Sequence, residues 1–414
     1  MKIVYICSDI DIPILGSEGC SVKIREFTDA LVELGHQVSI MCSWVGEGGG
    51  EMPKAPIHRI EPRGLDAETW RLLWHEEAVL NNQLERDLQS VLHSYWLQTA
   101  GAEIIELEQP DLLYECYSLF GCGGVELARR FQIPFLLEVN APLVQEQAGY
   151  VKFPLARTAE LLEPSIFGGA DAVVTVSDWV RDYVVDRGAE PDRVHTFANG
   201  VGEHFCRDVS GDGVRSRHDL VGKRVVGFVG SFHWWHDVEC LLAAFQLLGP
   251  RHPDLALLLV GEGPTRKRIA ELAEQLGLGG AVTMTGNVPH RTIPEYVAAM
   301  DVAVAPFRSQ LGDDLYGSPM KLFEYMAVGT PTVSTAIGQV NEIVQDGRTG
   351  LLYPAGNAVM LAEALEWLLD DAALSATIRS NGRALIRSEY TWEAIIPRIL
   401  DLVARPAVTA PTRS

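Results

Sequence analysis

Lys321 and Glu324 stand three residues apart in Ser318-Pro319-Met320-Lys321-Leu322-Phe323-Glu324-Tyr325-Met326. In a helix that spacing puts both on one face. Ser318 has an N-cap side chain and Pro319 suits the first helical position, so Lys321 is expected in the first turn. A cation there opposes the helix dipole unless an anion is bound. One ammonium for a phosphate and one carboxylate for sugar hydroxyls would suit a nucleotide ligand. A surface salt bridge between the two is the plain alternative. Leu322, Tyr325 and Met326 would then form the core face.

Other segments carry similar chemistry. Leu15-Gly16-Ser17-Glu18-Gly19-Cys20-Ser21 follows the first apolar run and precedes the first helical pattern. Gly16 and Gly19 would let backbone approach a ligand, and the helix N-terminus would favour an anion; a tight turn is the alternative. Gly230-Ser231-Phe232-His233-Trp234-Trp235-His236-Asp237 takes the equivalent place later in the chain. Its histidines and tryptophans suit an anion-binding mouth, with a structural cluster as the alternative, whereas zinc would lack further ligands. Asn140 ends a strand-like run before Pro142 and could bond a ligand or simply shape a turn. Glu262, in Gly261-Glu262-Gly263-Pro264, could face a ligand or be structural. Asn199-Gly200 is a turn signal. Asp313-Asp314 is a carboxylate pair in a polar loop, read as solvated charge rather than a metal site.

The elements that must position these residues alternate. Lys2–Ser8, Gln37–Cys42, Leu112–Tyr117, Phe135–Val139, Ala172–Ser177 and Val194–Ala198 read as strands, with helical patterns between them and a long helical stretch over 66–108. A polar, Gly-containing break at 203–223 shows no period. Alternation then restarts with Arg224–Gly230, Leu255–Gly261, Ala281–Gly286, Asp301–Phe307 and Pro331–Thr335, and helices fill the chain from Ala358. Continuous apolar strands between helices predict parallel sheets covered on both faces, hence an α/β chain of two doubly wound domains. Ligands of such sheets bind at strand C-termini.

Composition narrows the function. Thirty-four Lys and Arg against 55 Asp and Glu give 414 residues a net charge of −21. Nucleic acid and anionic membrane are poor partners for that charge. No apolar run approaches a membrane span and no leader pattern opens the chain. Seven scattered cysteines without a Cys-x-x-Cys pair disfavour disulfides and zinc, so the cytoplasm is the expected compartment. The tail 405–414 is expected to fray.

Taken together, Ser318–Pro331, the following Ile337–Leu352, Val176-Ser177-Asp178-Trp179-Val180, Ala198-Asn199-Gly200-Val201 and Leu258–Pro264 resemble the retaining glycosyltransferases of family four, group 1, with the GT-B fold. The resemblance spans nearly the whole chain. It implies two Rossmann-like domains facing each other across a cleft: 1–205 on the acceptor side, 206–390 for the nucleotide sugar, and 391–414 crossing back onto the first. Glu324 would hold the ribose hydroxyls. Met320, Lys321 and the N–H groups near Leu322 would hold the diphosphate, with Gly230, Ser231, His236 and Glu262 around it and Asn287 near the base. The loop with Gly16, Ser17 and Gly19 would close over donor or acceptor. Asn140 stands where many members carry His and, with Lys321 and Glu324, is expected at the reacting centre. Tyr316 replaces the first Glu of the family's Glu-x₇-Glu pattern, with Asp314 nearby, and Ser231 replaces a frequent cation, so Lys321 is read as the compensating charge.

The resemblance further implies retention of configuration, with the leaving diphosphate taking the acceptor's proton and no metal or other cofactor required. UDP is favoured over GDP. The acceptor, a small molecule, lipid-linked group or glycan of polysaccharide or natural-product synthesis, would lie around 9–21, 66–100 and 115–150. Of the aromatics there, Trp70, Trp74, Tyr95, Trp96, Tyr117 and Phe120, most are expected in the core. A nucleotide-sugar epimerase and a non-catalytic nucleotide-sugar binder are the competing readings. A dinucleotide oxidoreductase lacks its G-x-G-x-x-G fingerprint.

Overall fold

A computed structural model describes residues 1–46, 50–61, 83–150, 152–309 and 315–404. The readings placed on 66–82 (with Trp70 and Trp74), on Asp313 and Asp314, and on the tail 405–414 lie outside the described residues. Two parallel sheets are present. The first contains β1 (Lys2–Cys7), β2 (Gln37–Cys42), β3 (Ile57–Arg59), β4 (Leu112–Cys116), β5 (Phe135–Val139), β6 (Ala172–Thr175) and β7 (Val194–Thr196), in spatial order 3-2-1-4-5-6-7. The second contains β8 (Arg224–Val229), β9 (Leu255–Val260), β10 (Val282–Met284), β11 (Val302–Ala305), β12 (Thr332–Thr335) and β13 (Leu351–Tyr353), in order 10-9-8-11-12-13. The order reverses between β1 and β4 and between β8 and β11, the switch points where doubly wound sheets bind ligands.

Strands read as unbroken apolar runs because helices cover both sheet faces. Tyr5 of β1 stacks on Tyr114 of β4 at 5.4 Å, and Phe27 of the helix Gly19–Glu33 tilts onto Tyr114 at 4.8 Å. In the second unit Phe228, Phe232, Leu241, Phe245, Leu257 and Leu259 belong to one buried cluster. Trp96, Tyr117 and Phe120 are core residues, whereas Tyr95 is exposed. None of the seven cysteines forms a disulfide. No helix among the described residues is long and apolar enough to cross a membrane.

The chain divides into two compact units, Met1–Gly16 with Cys20–Ala198 and the stretch from Ile395, and Asn199–Ala394 with Ser17–Gly19. The division falls after Ala198, ahead of residue 205. Asn199 belongs with the second unit because its backbone N–H donates to Ser318 Oγ (2.9 Å) and its side-chain amide to the Ser318 carbonyl (3.3 Å). The last helix, Trp392–Ala404, changes unit within its first turn. Residues 203–223, read as lacking a period, contain a helix, Asp212–Arg217. It buries one residue, Val214, so there is no apolar period to read, and its Arg215 bonds Asp301 at 2.9 Å. β3 and β13 also escaped the sequence reading, each being three residues long at a sheet edge.

Candidate functional site

At the C-terminal rim of the second sheet, three chain segments meet backbone to backbone. Gly230 follows β8, Gly261 follows β9 and Gly286 follows β10. Gly230 N–H donates to the Val260 carbonyl and Gly261 N–H to the Gly286 carbonyl, each at 3.0 Å. Gly261 has φ +128°, and any Cβ there would collide with the Gly230 carbonyl oxygen. Glycine is required at that position by both space and conformation. The result is a shelf of bare backbone.

The helix Met320–Val328 is fixed over this shelf by Tyr325. Its buried hydroxyl accepts from the Val229 N–H (2.7 Å) and donates to the Val229 carbonyl (2.9 Å), at the last residue of β8. One turn earlier, Lys321 passes so close to Gly230 that a Cβ there would lie 3.0 Å from Nζ. The ammonium sits over the rings of Phe228 (5.0 Å) and Phe307 (5.2 Å). Such contacts favour a cation but do not replace its hydration. Lys321 is only 9% exposed, and no described residue accepts a hydrogen bond from Nζ. Burial lowers its pKa to about 7, against a smaller opposing pull from Glu324. A buried ammonium without an acceptor, in the first turn of a helix, is arranged for an anion.

The helix start differs from its sequence reading. Pro319, not Ser318, occupies the cap position, and Ser318 is turned instead to Asn199. The Leu322 N–H is taken by the Pro319 carbonyl at 2.9 Å, so it cannot also serve a phosphate as expected. The N–H groups of Met320 and Lys321, at the first two helical positions, are the ones without intrahelical acceptors. The Leu322 side chain is wholly in the core, and Met320 is partly buried.

Glu324 is 8% exposed and its Oε1 lies 3.3 Å from His290 Nε2. His290 packs edge-on to Phe205 at 5.4 Å. The sequence reading missed His290; its only signal was its place just past Gly286-Asn287-Val288. Glu262 is half-exposed and paired with Arg266 at 3.0 Å. Ser231 and Asn287 are exposed at the rim. His236 Nδ1 lies 2.6 Å from the Ser231 carbonyl. A carbonyl can only accept, so Nδ1 carries the proton. Burial and the neighbouring Lys321 hold this imidazole well below its ordinary pKa, so it is neutral. It steadies the loop rather than adding positive charge. Arg308 clamps that loop from the other side, bonding Asp237 (2.6 Å) and Glu239 (3.2 Å), while Asp237 caps the helix Val238–Leu248. Tyr316 is buried.

In the first unit, Asn140 sits at the end of β5 in a polar cluster. Its amide donates to Glu138 (2.7 Å) and Cys116 Sγ (3.2 Å) and accepts from Lys23 (2.5 Å). Lys23 also pairs with Glu138, whose other oxygen accepts from Tyr114 at 2.6 Å. Burial alone would raise the Glu138 pKa, but Lys23, Tyr114 and Asn140 together hold it below its ordinary value. On the other face of the sheet, Glu115 near the end of β4 has no cation among the described residues. It accepts from Ser8 at 2.7 Å, and burial raises its pKa to about 8. Gly16 serves packing: a Cβ there would lie 2.6 Å from Ser21 Oγ, and its carbonyl accepts from Arg25 at 2.7 Å. Gly19, first residue of its helix, has open space around it.

The family described as Glycosyl transferases group 1 matches residues 223–371, and the Glycosyl transferase 4-like domain matches 18–200. The chain is 32% identical over 373 residues to a 2-deoxystreptamine N-acetyl-D-glucosaminyltransferase of Streptomyces fradiae, covering 86% of this chain and 83% of that one. It is 27% identical over 279 residues to an alpha-D-kanosaminyltransferase of Streptomyces kanamyceticus, covering 65% and 69%. Among solved structures, Anabaena HepE in complex with UDP and glucose superposes with a TM-score of 0.71 at 16% identity, over 98% of this chain and 100% of that one. Sucrose-phosphate synthase from Thermosynechococcus elongatus gives 0.71 at 24% identity, over 97% and 98%. The two-domain α/β class expected of GT-B enzymes is the fold of this chain.

Proposed function

Because the chain belongs to the group 1 glycosyltransferases, we propose that it transfers a sugar from a nucleoside-diphosphate donor, UDP ahead of GDP, to an acceptor hydroxyl with retention of configuration. The observation that carries the donor assignment is Lys321, a buried ammonium with no described acceptor beside a glycine shelf. A diphosphate laid on that shelf would meet Nζ and the free N–H groups of the helix start. Glu324, whose neighbour His290 fixes one oxygen, offers the other to a ribose hydroxyl. Natural-product synthesis is the favoured setting, in line with the two Streptomyces relatives, and UDP is in line with what HepE binds.

Charge on the diphosphate grows as the glycosidic bond breaks, so Lys321 stabilises the transition state more than the ground state. The departing phosphate oxygen takes the acceptor's proton on the same face, which preserves the anomeric configuration. No protein base is needed for that step, and Lys321 supplies the positive charge that would otherwise call for a metal. Asn140 is proposed as a positioning residue at the first sheet's rim, since its amide is committed to Lys23, Glu138 and Cys116.

The test begins with thermal shifts of the full chain with UDP, GDP, ADP and their sugars. Turnover with the stabilising donor is then followed by NMR of the product anomer, with and without EDTA. UDP binding, an acceptor-dependent product of retained configuration and survival in EDTA are expected. An altered sugar released without acceptor would mean epimerisation, and inversion would overturn the mechanism.

A further inference from the structure

The helix Gln83–Glu108 is turned inside out over its first half. Leu84, Leu88, Val91 and Tyr95 follow 4-3-4 spacing, the pattern of a face that helices normally bury, yet they are between 37% and 57% exposed. Glu85, Gln89 and His93, at i, i+4 and i+8, form the inward row and are 7%, 1% and 3% exposed. Both carboxylate oxygens of Glu85, the Gln89 amide nitrogen and His93 Nε2 find no hydrogen-bonding partner among the described residues. Buried polar groups are nearly always satisfied, and three in line on one face that are not need a reason. Folding alone would have chosen the opposite face.

The row's place supplies that reason. Arg86 approaches Asp11, beyond the end of β1, at 3.9 Å. Ser94 accepts from the Cys122 N–H, beyond β4, at 2.9 Å, and Asp87 accepts from the Leu155 N–H, beyond β5, at 3.2 Å. The row therefore lies among the loops at the C-terminal ends of these strands, at the β1/β4 switch point of the first sheet. Leu155, whose N–H bonds Asp87, packs with Phe153 against a buried apolar cluster of Phe120, Val144 and Ala159.

We propose that Glu85, Gln89 and His93 form the binding row for the acceptor, and that the acceptor is a compact hydroxylated ring bearing an amine. This rests on the glycosyltransferase reading above. Two unpaired carboxylate oxygens call for N–H or O–H donors, best an ammonium. The Gln89 amide donates to a ring hydroxyl. Burial lowers the His93 pKa to about 4, so its imidazole is neutral and exchanges a hydrogen bond with a second hydroxyl. Phe153 and Leu155, only partly buried, offer an apolar surface to the ring's C–H face. A phosphorylated ring is disfavoured, since the row offers a carboxylate and no cation.

The experiment is calorimetry of the full chain with 2-deoxystreptamine, myo-inositol and myo-inositol 3-phosphate, with no donor present, on the native protein and on Glu85→Gln, Gln89→Leu and His93→Leu. UDP affinity and circular dichroism report folding. The native protein should bind 2-deoxystreptamine at least tenfold more tightly than either inositol. Glu85→Gln should weaken the amine at least tenfold. Gln89→Leu and His93→Leu should lose binding while raising the melting temperature of the unliganded protein, because each removes an unpaired buried group. Amine binding that is absent, or equal in native and Glu85→Gln protein, overturns the inference, as does a preference for the phosphate. UDP binding without amine binding would sink this inference alone. Glu85-dependent amine binding without UDP binding would sink the glycosyltransferase donor reading and leave the row standing.

Discussion

Replacing Lys321 by methionine keeps the volume of a buried side chain and removes only its ammonium. The diphosphate then loses a charge-assisted hydrogen bond at a site 9% exposed to water. Such bonds contribute about 1.5–3 kcal/mol, so UDP affinity at pH 7 should fall roughly 10- to 100-fold. Uridine affinity should not change, since Glu324 and the base side remain. The pH dependence is more specific. With its pKa lowered to about 7 by burial, free Lys321 is substantially neutral at pH 8–9, and a bound diphosphate raises that pKa. A group whose pKa rises on binding contributes its full affinity below the free-state value and loses it as pH climbs above. Native affinity for UDP should therefore level off as pH falls from 7 towards 6 and fall by up to about tenfold per unit above pH 7. The terminal phosphate, with a second pKa of about 6, is ionised across that upper range. Calorimetry at pH 7, 8 and 9, in two buffers of different ionisation enthalpy, should show proton uptake that grows with pH in the native protein and vanishes in Lys321→Met. The same substitution should stabilise the unliganded protein at pH 7. A lysine whose pKa is lowered on folding must give up its proton or bury its charge, a cost on the order of a few kcal/mol. Equal losses for UDP and uridine would mean a displaced helix, and a flat native profile to pH 9 would refute the buried-ammonium argument.

Other outcomes follow from the same geometry. Gly261→Ala should destabilise the second unit by roughly 2–4 kcal/mol in urea unfolding and weaken UDP, because both the conformation at φ +128° and the Gly230 carbonyl forbid a Cβ. Tyr325→Phe should lower stability by about 1–3 kcal/mol and weaken UDP less than Lys321→Met does, since it unpins the helix from Val229 without touching the charge. Glu115→Gln should stabilise the protein progressively as pH rises from about 4.5 to 8. The native state keeps a proton there that the unfolded chain has lost, so the gain, a few kcal/mol at most, should level off above the folded pKa of about 8. A gain that does not depend on pH would mean that Glu115 is ionised in the folded state.

The two sheets were legible because their central strands are buried on both faces and leave runs such as Lys2–Cys7 and Leu255–Val260 with no polar interruption. Edge strands β3 and β13 were not, although β7 and β10, equally short and also at sheet edges, were. Around the site, local grammar succeeded for Lys321, whose position in a first turn follows from Pro319 alone. It failed for Ser318, because a partner 119 residues away in sequence, Asn199, takes the hydroxyl that local rules assign to the helix. His290 was invisible for the same reason: nothing near it in the chain indicates that Glu324 stands 34 residues on and 3.3 Å away.

The helix Gln83–Glu108 marks a different limit. Its periodicity identifies a helix with an apolar stripe and a polar stripe, and no more. Which stripe turns inward is decided by what surrounds the helix, and here Asp87 and Ser94, near the row, accept from the Leu155 and Cys122 N–H groups of the loops after β5 and β4. Solvent exposure of Leu84, Leu88, Val91 and Tyr95 and burial of Glu85, Gln89 and His93, with polar atoms that find no partner among the described residues, both work against folding. Lys321, with its ammonium buried against Phe228 and Phe307, does the same in the second unit. In each unit the residues least explained by stability lie at the C-terminal rim of a parallel sheet, beside its switch point, where the fold leaves a place for a ligand. The two sites differ in sign: a cation waits on the second sheet and a carboxylate on the first. A donor carrying a diphosphate and an acceptor carrying an amine would each find the charge it needs in only one of them, which sorts the two substrates before either is recognised in detail.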